Sequence, residues 1–568
     1  MSGSRLKQQF QTLFQHFNGQ DTAVTVGELM EVLHCTRRNV RMVMGKLSDE
    51  GWITWTPAVG RGKLSQLVFN LTQDALLHAD VTEAIQEGRF ERALHLLGDD
   101  KQKLAAFITE QLGYATVQGR QVLRLPYYRA INPLNPLQPM RRSEHHLARQ
   151  VFNGLSRFCE KTETIQPDLA HHWKMLSPSH WRFFLRPSVR FHSGAMVSID
   201  DYIASLQRLA SFPLFQHFKS VTSPFANIID IQLNTDDFHL PELLASIEAV
   251  ILPATTPLAQ DGFEPIGTGP YRILQADSQR IKLEAFDHYF GFRALIDEIE
   301  IWVLENISAC HLNPDINHSP ISVIGENLHQ PSQYSRLDEG CSYLVLNQCS
   351  GFCQQEAWQQ YVINRLNPFD IHQQLLRNQT PAFQMIPAYG FMPGWIHTAP
   401  KTADIKPPRT GVTLKIAVIE SHPIFTQMGD AIRELLFEDG LHCELVTMSY
   451  MEFHTCDGKD IDIWLGSINL VSRHPSMIIN WLFQYANVTR SVPEQELVNA
   501  FEAIRLWRAQ EQGGCPAEEL LNAFVSHRVI VPLFHTWAGV NSAEQLKGAE
   551  TNSMGWFDFT SVWVDPDI

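Results

Sequence analysis

From Arg5 to Phe69 the apolar residues recur three times at helical spacing and then twice in short strand-like runs, an order few small folds accommodate. Leu6, Phe10, Leu13, Phe14 and Phe17 mark a first amphipathic helix, stopped by Asn18-Gly19. A second starts at Thr25, where Thr25-Val26-Gly27-Glu28 spells a capping box and Leu29, Val32 and Leu33 extend one apolar face. After a tight break at His34-Cys35, Thr36 caps a third helix, Arg37 to about Glu50, with Val40, Met44 and Leu47 on one side. Gly51 ends it, and the strands Trp52-Ile53-Thr54-Trp55 and Leu67-Val68-Phe69 flank a basic tip, Gly60-Arg61-Gly62-Lys63. The order predicts a small α+β winged helix-turn-helix domain over residues 1–70.

Such a module places its third helix in the major groove of duplex DNA. Arginine matches guanine bidentately there, and asparagine matches adenine. Thr36, Arg37, Arg38, Asn39, Arg41 and Lys46 are therefore the candidate contacts on the helix, with Arg61 and Lys63 on a wing suited to phosphate or minor-groove contact. Charge supports this placement. The whole chain is at −16, which argues against a polyanionic partner, but eight Lys and Arg against five Asp and Glu give residues 1–70 a net +3 and leave −19 for the other 498. The wing is not a nucleotide loop, since Leu64 stands where GxxxxGK[ST] requires Ser or Thr. The other reading of a winged helix is a protein-docking module, which would make the chain a cytosolic solute- or peptide-binding protein.

Residues 71–120 read as a helical connector that either relays a signal or merely spaces the modules. From 121 to 568, short strands alternate with helices, as in Val122-Leu123-Arg124-Leu125, Ile281-Lys282-Leu283, Ile299 to Val303 and Val412 to Val418. That alternation predicts a large two-lobed α/β domain, with the proline-rich stretch Pro393 to Pro408 running between the lobes. A cleft between lobes is a common small-molecule site, and hinge closure its common motion. With 44% hydrophobic and 19% charged residues, the 568-residue chain is neither disordered nor fibrous. Its apolar runs, such as Glu248 to Thr255, are too short to span a bilayer, so no membrane partner is expected. No secretory signal is readable and the nine cysteines lack tight spacing, which points to the cytoplasm.

Three blocks in the large region carry a resemblance. Ile266-Gly267-Thr268-Gly269-Pro270-Tyr271-Arg272, followed by Tyr289 and Ile296-Asp297-Glu298-Ile299, is similar to a block of the family 5 extracellular solute-binding proteins. Asp168-Leu169-Ala170 with Trp173, and Trp181 to Arg186 with Phe191-His192-Ser193-Gly194, agree with it. Preceded by a winged helix, this domain resembles the SgrR family of bacterial transcriptional regulators. Tyr127-Tyr128-Arg129, Arg142-Ser143-Glu144, His146 to Gln150 with Phe152, and Gly555 to Phe559 are further residues typical of that family. The resemblance implies a one-component regulator whose solute-binding domain senses a small-molecule effector, in sugar-phosphate stress for the best-known branch. Paired operator half-sites would suit a homodimer, and no heptad is readable.

Peptide receptors of the solute-binding family anchor the ligand ammonium on an aspartate after a Gly-Trp-like strand. Here Asp462 to Leu470 has no acid after Gly466, so Ser467 and Asn469 stand ready for a neutral or anionic ligand. Tyr128, Arg142, Trp464, Trp481 and Trp537 complete the ligand-site candidates, the tryptophans for stacking on a sugar ring; Trp173 and Trp181 are alternatives. The x7 and x3 spacings of Cys341, Cys349 and Cys353 fit no zinc pattern, and His145-His146 and His171-His172 suit packing or surface roles. With no GxSxG and no HExxH, neither catalysis, a metal nor a cofactor is expected.

Overall fold

The computed structural model describes the chain except residues 1, 61–62, 87, 128, 258–262, 305–333, 379–384, 398–404, 421–423, 469, 471–473, 485, 541–545 and 566–568. It forms two compact units, Met1–Gln111 and Leu112–Ile568.

The first unit opens with α1 (Ser2–His16), β1 (Thr22–Val24), α2 (Val26–Val32), α3 (Arg37–Asp49), β2 (Ile53–Thr56) and β3 (Ser65–Phe69). Phe10, Leu13, Leu29, Val40, Val43, Met44, Leu47, Ile53 and Leu67 close one core and are all at most 3% exposed. Burying side chains of this size stabilises by roughly 1.5–3 kcal/mol each. Thr25 Oγ1 accepts the Glu28 amide at 3.2 Å, one arm of the expected capping box. Thr36 differs from expectation: its backbone is extended as an N-cap requires, but its hydroxyl makes no cap bond. Gly51 ends α3 in a left-handed conformation, φ +74°, which lets the Trp52 amide reach the Leu47 carbonyl at 3.0 Å. β1 was not legible in the sequence, because three residues are too few for an alternation to register. It pairs with β3, giving a sheet in the order β1-β3-β2.

Three helices follow: α4 (Gln73–Gln86), α5 (Phe90–Leu96) and α6 (Lys101–Gln111). Leu76 of α4 enters the winged-helix core and Asp80 pairs with Lys7 of α1, so α4 is packed on that core. The helical stretch ends earlier than the expected residue 120. β4 (Gly113–Val117) pairs antiparallel with β5 (Arg120–Tyr127) across Gln118-Gly119, both at positive φ, and that hairpin belongs to the second unit.

The second unit continues with α7 (Arg142–Val151), β6 (Ser156–Cys159), β7 (Thr164–Pro167), β8 (Ala170–Ser177), β9 (His180–Leu185), α8 (Ile199–Arg208), β10 (Phe218–Thr222) and β11 (Ile228–Leu233). β12 (Tyr271–Ala276), β13 (Arg280–Ala285) and β14 (Glu298–Val303) return to β5. These strands build a five-stranded sheet, β12-β13-β14-β5-β4, and a four-stranded one, β10-β11-β9-β8. The second lobe rests on one seven-stranded sheet of β15 (Tyr334–Leu337), β16 (Ser342–Leu346), β17 (Met385–Pro387), β18 (Thr413–Ile419), β19 (His442–Met448), β20 (Ile463–Ser467) and β21 (Ile530–Val540). β16 is buried at every residue and pairs with both β20 and β21. This corrects the expected inter-lobe position of Pro393 to Pro408. β17 before it and β18 after it lie in the same sheet, so the chain leaves and re-enters the second lobe on either side of the stretch, of which residues 398–404 lie outside the described ones. The chain then returns to pack Trp556, Phe557 and Phe559 into the core of the first lobe.

The end of α7 sits tightly on Gly267-Thr268-Gly269-Pro270. A Cβ on Gly269 would lie 2.6 Å from the Val151 carbonyl carbon, and one on Gly267 would lie 2.7 Å from Phe152 Cδ1. Neither residue has a positive φ, so these glycines serve close backbone approach rather than a left-handed conformation.

Candidate nucleic-acid interface and ligand cavity

α3 turns Val40, Val43, Met44 and Leu47 into the core, which leaves Arg37, Arg38, Arg41 and Lys46 exposed and Asn39 half-buried. Among the described residues none of these four cations is held by a carboxylate. No acid sits in the first turn of α3 either. Cations at a helix N-terminus oppose the macrodipole at a cost of about 0.3–1 kcal/mol, so this arrangement does not stabilise the helix itself. It leaves three guanidinium groups free for an external polyanion. The wing base is pinned by Ser65 Oγ, which accepts the Ala58 amide at 3.0 Å, and Lys63 is exposed beyond it. Arg61 lies outside the described residues.

In the second unit a cavity of about 1040 Å³ opens at the C-terminal half of α7 and the β6–β7 hairpin. Five cations (Arg149, Arg157, Lys161, Arg186, Arg336) and five carboxylates (Glu160, Glu163, Asp168, Glu550, Asp558) line it with Phe152, Phe158, Tyr289 and Phe290. Several of these groups are held in place. Arg336 binds Glu160 at 3.3 Å and Glu339 at 2.9 Å, while Ser553 Oγ donates to Glu160 at 2.6 Å. Asn153 Nδ2 donates to both oxygens of Asp168, at 3.0 and 3.1 Å. Others are buried without a partner among the described residues: Arg149 Nε, Gln150 Oε1 and His146 Nε2. Burial holds the His146 imidazole neutral, at about 3, and its Nδ1 faces the Asn552 amide at 3.4 Å, which leaves the proton on Nε2. The cavity thus offers unmet donors and an unmet acceptor side by side, a pattern for a polar, hydroxyl-bearing ligand.

Burial also pushes the Asp168 carboxyl up to about 6 from its ordinary 3.8, outweighing Arg157, Asn153 and the Gly154 amide. The protonated form is favoured in the fold, so this group supports folding at low pH and the support is lost as pH rises from about 3.8 to about 6. Asp168→Asn is therefore expected to remove a loss on the order of 3 kcal/mol between about pH 4 and about pH 7. Urea unfolding of the two proteins at both pH values checks this; parallel pH dependence would contradict it.

The other expected ligand residues are dispersed. Tyr128 and Asn469 lie outside the described residues. Arg142 opens α7 and is engaged with Asp338, with 2.7 Å between Nη2 and Oδ2. Trp464 is 1% exposed within β20, its ring 5.2 Å from that of Phe453. Trp481 is 4% exposed and packs on Tyr343 and Phe391 at 5.5 and 5.2 Å. Ser467 is half-buried at the end of β20, and Trp537 is exposed on β21. None of these five described residues lines the cavity. The tryptophans of the central elements fill the core because their area is best buried there. Trp181 is buried and Trp173 half-buried. The cavity had its own signal in the sequence: α7 places His145, His146 and Gln150 at positions that are buried, where an ordinary amphipathic helix carries aliphatic residues. Cys341 and Cys353 are buried, and among the described residues no His, Cys, Asp and Glu group could hold a metal. Nor is any described helix long and apolar enough to cross a membrane.

Comparison with known proteins brings the two units together. Residues 5–119 match the family described as sugar transport-related sRNA regulator N-term, and residues 164–311 match the middle part of bacterial extracellular solute-binding proteins, family 5. The HTH-type transcriptional regulators SgrR of Pectobacterium atrosepticum and Yersinia enterocolitica are 36% and 35% identical, each over 570 residues covering 100% of both chains. That of Escherichia coli O157:H7 is 34% identical, covering 100% of this chain and 99% of its own. Among solved structures, the periplasmic binding protein DppA from Helicobacter pylori, in complex with the peptide STSA, superposes with TM-score 0.63 at 15% identity, covering 80% of this chain and 99% of its own. NikA from Brucella suis, in complex with Fe(III)-EDTA, does so with TM-score 0.62 at 15% identity over 78% of this chain and 100% of its own. At that identity they establish the fold of the second unit. Full-length similarity to the curated regulators establishes more: the chain belongs to the SgrR family.

Proposed function

We propose that this protein is a DNA-binding transcriptional regulator of the cytoplasm, controlled by a small molecule taken up in its second unit, and not an enzyme. The observation that carries the proposal is the row of exposed cations on α3 that no carboxylate among the described residues holds, set on a winged-helix core and followed by an acidic remainder. The name of its relatives, HTH-type transcriptional regulator, supports the same reading. The proposed effector is a hydroxylated metabolite of the sugar-phosphate class. Arginines on the cavity wall would take the phosphate, and Asp168, Glu160 and Gln150 would take hydroxyls. Such a ligand acts only through its differential affinity for two arrangements of the unit, and the winged helix reports that shift. A homodimer on paired half-sites is the proposed assembly.

Thermal-shift measurements on the full chain test the effector. A sugar phosphate at about 100 times its dissociation constant is expected to add about 2.7 kcal/mol of stability, and Arg149→Met to abolish that gain. Stabilisation by peptides with none by sugar phosphates would overturn the effector class.

A further inference from the structure

The exposed side of α3 carries one residue that charge does not explain. Met42 is 52% exposed in the middle of the helix. At helical spacing Arg38, Met42 and Gly45 follow one another at i, i+4 and i+7, on the side opposite the buried Val40, Val43, Met44 and Leu47. Arg41 and Lys46 flank that strip. A Cβ on Gly45 would meet nothing within 4 Å, so neither packing nor a positive φ demands glycine there. Gly45 thus leaves the helix bare one turn beyond Met42, and a partner can approach most closely at that point. Asp49 lies on the same side another turn on, near the end of the helix, and limits the close approach of a polyanion to the stretch before it.

An apolar side chain set between free guanidinium groups fits one kind of surface. The major-groove edge of duplex DNA offers acceptors for arginine and, at each thymine, a C5-methyl group that only an apolar contact recognises. We propose that Met42 is a specificity-determining residue that reads a thymine methyl, with Arg38 and Arg41 on the neighbouring bases. The inference rests on the DNA-binding reading given above and adds a base identity to it. A protein partner for the same strip would have to bring carboxylates to Arg37, Arg38, Arg41 and Lys46 as well as an apolar group to Met42, whereas duplex DNA carries both.

The experiment replaces thymine by uracil, which removes the methyl and keeps every hydrogen-bonding group. The duplex preferred by the full-length protein is first selected from a random pool, and each dT in it is then changed singly to dU. One dU duplex is expected to bind about fourfold more weakly, the equivalent of ~0.8 kcal/mol for one buried methyl-sized group. Met42→Ala, exposed and so without a folding cost, is expected to bind dT and dU duplexes equally at that position while keeping its preferences at the arginine positions. A second variant, Met42→Gln, is expected to change the preferred base there from thymine to adenine. Indifference of the unaltered protein to every dU, or undiminished discrimination by Met42→Ala, overturns the inference alone. Failure to bind any duplex at low salt overturns the DNA-binding reading and the inference with it.

Discussion

Alanine at Arg38 or at Arg41 is expected to weaken the operator complex by about 1–3 kcal/mol each, roughly a factor of 5 to 150, and to relax sequence preference at one base position per residue. Both side chains are exposed on α3 and no carboxylate among the described residues holds either, so their loss leaves the winged-helix core intact. Arg38 lies in the first turn, at the positive end of the helix dipole, so its alanine variant should fold slightly better than the parent, and exposed Arg41→Ala should fold no worse. Lys46→Ala and Lys63→Ala are the contrast. A lysine that meets phosphate contributes without regard to sequence, so each is expected to lower affinity uniformly and to reduce the salt slope of binding by about 1. Fluorescence anisotropy on the selected duplex and on a scrambled one, across salt concentrations, separates the two behaviours. Unchanged affinity in Arg38→Ala and Arg41→Ala proteins that still fold would remove α3 from the interface.

The winged helix was legible because local signals and core demands agree there. Thr25 caps where a cap is spelled, Gly51 stops α3, and Val40, Met44 and Leu47 are buried as their spacing requires. The boundary of the connector was not. The strand Gly113–Val117 is short and half-exposed, and only its pairing with residues 120–124 shows that it belongs to the large unit. For the ligand site the sequence was less informative still. Trp464 and Trp481 suit sugar stacking as residue types, but side-chain type does not say which face of a strand or helix is buried, and both went to the core, Trp464 from β20 and Trp481 from the helix Pro475–Gln484. Arg149, Gln150, Asn153 and Asp168 come to one cavity from a helix end and two loops, through backbone crossings that no local period encodes. Family blocks contained several of these residues without marking them as ligand contacts.

Gly269→Ala is expected to cost the second unit about 3 kcal/mol or more. The added carbon would lie 2.6 Å from the Val151 carbonyl carbon and 2.7 Å from its oxygen. These are backbone atoms at the end of α7, and the Gly269 amide donates to that same oxygen at 2.8 Å, so neither side can yield without breaking a bond. The segment is fixed further by Thr268, which donates to Asn153 at 3.1 Å, and through Asn153 to Asp168. Relief of the clash must therefore move the residues that line the cavity. Effector stabilisation should disappear together with the lost stability, although Gly269 itself is not among the lining residues. Gly45→Ala is the matched control: the same methyl placed where nothing lies within 4 Å is expected to raise helix stability by up to about 1 kcal/mol. Urea unfolding followed by tryptophan fluorescence, with and without sugar phosphate, reads both. A Gly269→Ala protein of parental stability would show that the α7 junction is slack, and a cavity shaped by that junction would no longer explain ligand selectivity.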